Sequence, residues 1–105
     1  MNRHPLAVIQ KNGPDIFEAL LKSSSMALGE GALPAKVKYL IAMALDASHG
    51  AAGGVKSLAE QALAHGATKD EIFDALRVTY HICGAGSIYT AAQGLNDLFG
   101  DTPAP

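Results

Sequence analysis

Residues 34–50 read PAKVKYLIAMALDASHG, and this stretch decides the fold. Pro34 is a favoured first helical residue, because its ring pre-sets φ near the helical value. Gly50 suits the position just past a helix end. Between them, Val37, Leu40, Ile41, Ala44, Leu45 and Ser48 recur at helical spacing. Ala42, Met43 and Ala47 fill much of the opposite face. A helix that is apolar nearly all round lies at the centre of a bundle or is covered by a partner.

Helical signals continue on both sides. The run GAAGG at 50–54 reads as a turn. Val55, Leu58, Ala59, Ala62 and Leu63 then form a one-face stripe that ends at Gly66. Thr68 and Glu71 have the spacing of a capping box, in which each side chain bonds the other's amide. A helix from Lys69 to about Cys83 follows, with Ile72, Phe73, Leu76, Tyr80 and Cys83 on one side. GAGS at 84–87 breaks it, and Ser87 is placed to cap a last helix running through Phe99. Ile88, Ala91, Ala92, Leu95, Leu98 and Phe99 face inward in that reading. Gly94 costs such a helix about 1 kcal/mol relative to Ala, and so marks the close approach of another backbone. Upstream, Pro14 opens a helix over 14–28 with Ile16, Phe17, Leu20, Leu21 and Met26 as apolar positions. Ser23, Ser24 and Ser25 weaken its second half. The tail DTPAP reads as a loosely held end. No useful alternation of period two occurs, and no internal repeat. The expected fold is all-α, a compact oligomeric bundle of about five to six helices joined by short loops, in one domain over residues 1–105.

Composition narrows the class of function. Of 105 residues, 49% are hydrophobic and only 17% charged, against a usual charged share of about 25%. Disorder is excluded on that balance, and part of the apolar surface is expected to face another subunit. A net charge of −2 provides no basic field for nucleic acid or anionic lipid. One cysteine excludes an intrachain disulfide framework, a CxxC redox pair and a multi-cysteine zinc site. No apolar run reaches the roughly 18 residues of a membrane span. The first residues lack a signal peptide's apolar stretch, so the expected location is the cytoplasm.

Groups able to carry chemistry gather at two helix ends. Tyr39, Asp46, Ser48 and His49 belong to the central helix; Tyr80, His81 and Cys83 end the fourth. Asp46 and His49 are three apart and share a face, so the carboxylate can poise the imidazole as an acid or base. A partly positive ring also simply suits a helix C-terminus. His81 and Cys83 are two apart and point in different directions, so they form no close thiolate–imidazolium pair. Cys83 is either a small core hydrophobe or, with His49 brought near it from the other helix, a nucleophilic thiol. His4 and His65 lack metal spacing, and no metal or cofactor is expected. Lys56 and Glu60 read as a solvated i,i+4 pair. GAAGGV lacks the GK[ST] ending of a phosphate loop and follows a helix, and GAGS fails as a dinucleotide fingerprint on the same ground.

The run LPAKVKYLIAMALDASHGAAGGVKSLAEQALAHGATKDEIFDALRV resembles the core of the carboxymuconolactone decarboxylase family, whose superfamily includes the alkylhydroperoxidase-like proteins. The likeness covers about residues 33–79, and GATKDEIFDAL is its most specific piece. It implies an all-α homo-oligomer, a trimer or hexamer, with helices packed between subunits. The redox branch carries a glutamate, a CxxC pair and a histidine. Aligned on GAT, these fall on Tyr39, on Ala51 and Gly54, and on Leu58. None of the four is present, and a disulfide-cycling peroxidase cannot work without its dithiol. The lactone decarboxylase branch needs no dithiol. Its chemistry on a small organic acid or lactone calls for proton-transfer groups, for which His49, Tyr39, Tyr80, His81 and Cys83 are the candidates. The alternatives are a non-catalytic oligomeric binding or accessory protein, and a one-cysteine peroxide-reactive protein using Cys83. The expected partners are further copies of the chain and a small-molecule ligand.

Overall fold

The computed structural model describes residues 5–100, and among them there are six helices and no strand. His4 and the DTPAP tail lie outside the described residues. The helices are α1 (Ala7–Asn12), α2 (Pro14–Leu28), α3 (Ala35–Ser48), α4 (Ala52–Ala64), α5 (Lys69–Cys83) and α6 (Ala85–Phe99). The chain divides into two compact units after Gly31.

The first unit holds α1 and α2. Pro14 opens α2 as its sequence requires, and the short α1 precedes it without having been expected. The Gly13 amide donates to the Ile9 carbonyl at 2.7 Å and closes α1. No residue of either helix is buried. On α2, Ile16, Leu20, Leu21 and Met26 are all exposed.

The second unit is built on α3 to α6. Pro34 sits one residue outside α3, in extended geometry, and its carbonyl accepts from the Val37 and Lys38 amides. The turn after α3 is shorter than GAAGG suggests. Gly53 and Gly54 belong to the first turn of α4, since the Val55 amide already bonds the Ala51 carbonyl at 3.0 Å. The capping box forms as read: the Glu71 amide donates to Thr68 Oγ1 at 3.0 Å and the Thr68 amide to Glu71 Oε1 at 2.9 Å. Glu71 Oε2 also receives Lys36 Nζ at 2.9 Å. That bond, together with the Thr68 amide, holds the Glu71 carboxyl below its ordinary pKa and ties the start of α3 to the start of α5.

The core faces differ in part from the sequence stripes. Met43 and Ala47 are the buried residues of α3, whereas Ile41 and Leu45 of the expected stripe are 46% and 55% exposed. On α5 the buried residues are Ile72, Leu76 and Thr79, and Phe73, Tyr80 and Cys83 are exposed. The buried Thr79 hydroxyl donates to the Ala75 carbonyl at 2.9 Å, the local satisfaction a helix offers a hydroxyl. Ser87 is not the cap of α6. Gly84 holds that place at φ 86° and ψ −180°, a region open essentially only to glycine. Ser87 lies a turn inside, buried, with its hydroxyl donating to the Gly84 carbonyl at 2.6 Å. Ala92, expected inward, is exposed. Lys56 bonds Asp97 on α6 at 2.9 Å, and this bond first, with the nearby Glu60 charge as a smaller cause, raises the lysine pKa.

α4 packs against both α3 and α6. Gly94 explains how α6 comes so close. A Cβ at Gly94 would lie 2.5 Å from the Ala52 carbonyl oxygen and 2.9 Å from Val55 Cβ. Both neighbours are held by α4, so neither can step aside. Gly94→Ala is expected to gain the ~1 kcal/mol of helix propensity yet destabilise by about 1–3 kcal/mol net through overpacking. Urea unfolding checks this, and a stabilised variant would contradict the close approach.

Candidate functional site

Two open grooves flank α5. The larger, about 730 Å³, runs between α5 and α6, which form an antiparallel hairpin about Gly84. Leu76, Ala91 and Leu95 are its most buried lining residues. Phe73 and Phe99 meet in it with ring centroids 5.7 Å apart, and Lys69 Nζ sits 5.5 Å from the centre of the Phe99 ring. Ala85 and Ala92, with no side-chain bulk, keep it open. Its polar groups are Arg77, Tyr80, Tyr89 and Asn96. Arg77 is held only loosely, by Asp74 at 3.4 Å with both side chains largely exposed.

The smaller groove, about 340 Å³, lies between α3 and α5. Ile41, Leu45, Val78 and Ile82 dominate its wall, and among the described residues no Asp, Glu, Lys, Arg or His lines it. Its two hydroxyls serve their own backbone: Ser48 Oγ donates to the Leu45 carbonyl at 2.6 Å, and Thr79 does likewise to Ala75.

The five candidate residues are spread over the unit. Tyr80 lines the α5–α6 groove and Cys83 the α3–α5 groove. Cys83 is exposed, which corrects its reading as a core residue: it closes α5 at a turn where the chain has already left the core. Tyr39, His49 and His81 line neither groove. Tyr39 stacks against His65, centroids 4.9 Å apart. His65 Nδ1 lies 2.8 Å from the Gln61 carbonyl, which only accepts, so that nitrogen carries the proton. His49 caps the end of α3 and is exposed. The His49 backbone amide bonds the Asp46 carbonyl at 3.2 Å, but among the described residues no side-chain hydrogen bond or ion pair joins the imidazole to the Asp46 carboxylate, which lies against Gly54 in the first turn of α4. No group of three or more His, Cys, Asp or Glu among the described residues could hold a metal ion. No helix among them is long and apolar enough to cross a membrane.

Sequence reasoning missed Arg77, Tyr89 and Asn96. The signal was present: Phe73, Arg77 and Tyr80 share a face of α5, and Tyr89, Ala92 and Asn96 share one of α6.

Residues 14–97 match the carboxymuconolactone decarboxylase family. The chain belongs to the carboxymuconolactone decarboxylase family. It is also 27% identical over 96 residues to the "Uncharacterized protein MJ1511" of Methanocaldococcus jannaschii, an alignment covering 91% of this chain and 90% of that one. No solved structure matches it.

Family membership gives the α3–α4 junction its meaning. Ala51 and Gly54, where the resemblance places the redox branch's two cysteines, stand at the N-cap and in the first turn of α4. A Cβ at Gly54 would collide with the Asp46 carboxylate. A side chain at 54, thiol or methyl, therefore requires Asp46 to turn away. Gly54→Ala and Asp46→Ala are expected to be non-additive by about 1 kcal/mol, with Gly54→Ala milder when Asp46 is already truncated. A double-mutant cycle in urea measures this, and additive effects would contradict the contact.

Proposed function

We propose that this chain is an oligomeric binding protein on the carboxymuconolactone decarboxylase scaffold. It takes a small apolar molecule in the α5–α6 groove and runs neither thiol–disulfide cycling nor acid–base catalysis. The observation that supports this is the dispersal of the proton-transfer candidates. A general base works within hydrogen-bond reach of the proton it moves. Here Tyr80 and Cys83 line different grooves, and Tyr39, His49 and His81 line neither. A redox pair is absent because the sequence holds a single cysteine.

The α3–α5 face supports the reading of self-association. Ile41, Leu45, Val78 and Ile82 are 46%, 55%, 65% and 74% exposed, and no charged side chain lines the groove between them. Contiguous exposed apolar patches are where proteins meet partners. A second copy brings an equally uncharged face, so no unpaired charge is buried in the contact. The exposed Cys83 thiol favours a second reading, one-cysteine peroxide reactivity. Against it, the groove around Cys83 supplies no cation to stabilise a thiolate.

Cys83 reports on the assembly because it sits in this groove. Labelling by a bulky thiol reagent is expected to be fast at ~10 nM chain and at least tenfold slower at ~50 μM, as mass action fills the oligomer. A labelling rate independent of concentration would overturn self-association through this face.

A further inference from the structure

Resting on the reading of the α5–α6 groove as a binding site, we infer that its ligand is a free medium-chain monocarboxylate, with the apolar tail along the groove and the carboxylate on Arg77. The volume of about 730 Å³ lies within the range of small-molecule sites. Thirteen of the described residues line the groove, and Arg77 is the one charged residue among them. The rest of the wall is aliphatic or aromatic apart from Asn96 and the two tyrosine hydroxyls. A polar or multiply charged molecule would lose its hydration against this wall without replacement. An apolar tail gains about 0.8 kcal/mol for each methylene buried there.

The head is fixed by charge and geometry. The guanidinium has five donors, and Asp74 engages it at 3.4 Å in an exposed pair. A pair of that kind contributes little and exchanges readily. A ligand carboxylate offers the two parallel bonds that guanidinium geometry favours. Tyr80, one turn further along α5, and Asn96, across the groove on α6, bring additional donors to the same groove. A cationic head would meet Arg77 as a like charge.

Titration of the full-length protein by calorimetry with decanoate, decanol and decyltrimethylammonium, each below its micelle concentration, tests the inference. Decanoate is expected to bind at one per chain, and decyltrimethylammonium at least tenfold more weakly. Arg77→Gln should weaken decanoate about tenfold and leave decanol unchanged. Ala92→Phe, at an exposed position, should fill the groove and abolish all three, with circular dichroism confirming the fold. Equal affinity for the two charged probes, or no effect of Arg77→Gln, overturns the carboxylate while the apolar binding site stands. Absence of binding by every probe overturns both. Binding of decanoate only with dissociation of the oligomer means a second copy covers this groove, and that also overturns the inference.

Discussion

The packing of α3 to α6 depends on the absence of a side chain at Gly94. Without a Cβ there, α6 lies directly on the first turn of α4, against the Ala52 carbonyl. Half of the buried apolar positions are alanines: Ala47, Ala59, Ala62, Ala67 and Ala91. Short side chains allow close helix approach, and interiors are packed to crystal-like density. Met43, Ile72 and Val55 are the largest fully buried side chains. The core is thus small and tight.

The larger apolar residues consequently lie outside it. Ile41, Leu45, Val78 and Ile82 line one side of α5, and Phe73, Tyr80 and Tyr89 line the other. The chain fills its interior largely with small residues and leaves much of its apolar bulk exposed. The two grooves differ in charge. Among the described residues the α3–α5 groove has no charged lining and is proposed to meet a copy of itself, whereas the α5–α6 groove carries one guanidinium and is proposed to take an anion with an apolar body. Neither gathers the side chains that proton transfer needs.

Local chemistry made much of the fold legible in the sequence. Thr68 and Glu71 fixed the start of α5 because a capping box satisfies two amides at one spacing. Gly94 signalled a backbone contact because glycine inside a helix costs propensity that a close approach can offset. The inward face of α3 was not legible, since Met43 and Ala47 are no more apolar than Ile41 and Leu45. Packing against α4, α5 and α6 decides which pair is buried. Gly53 and Gly54 were read as turn, although the space at Gly54 is taken by Asp46 from another helix, a contact that no local pattern encodes. The candidate site was legible only in its parts. Tyr80 and Cys83, read as candidates for one site, line different grooves on either side of α5, and Arg77 shares a face of α5 with Phe73 and Tyr80 that takes its meaning only once α6 lies across from it.

Self-association is proposed through the α3–α5 apolar face, with the α5–α6 groove left open. The most direct test is the urea unfolding midpoint measured over a hundredfold range of protein concentration. Coupled folding and association predict a midpoint that climbs steadily with concentration. A midpoint that stays fixed across the range would contradict it.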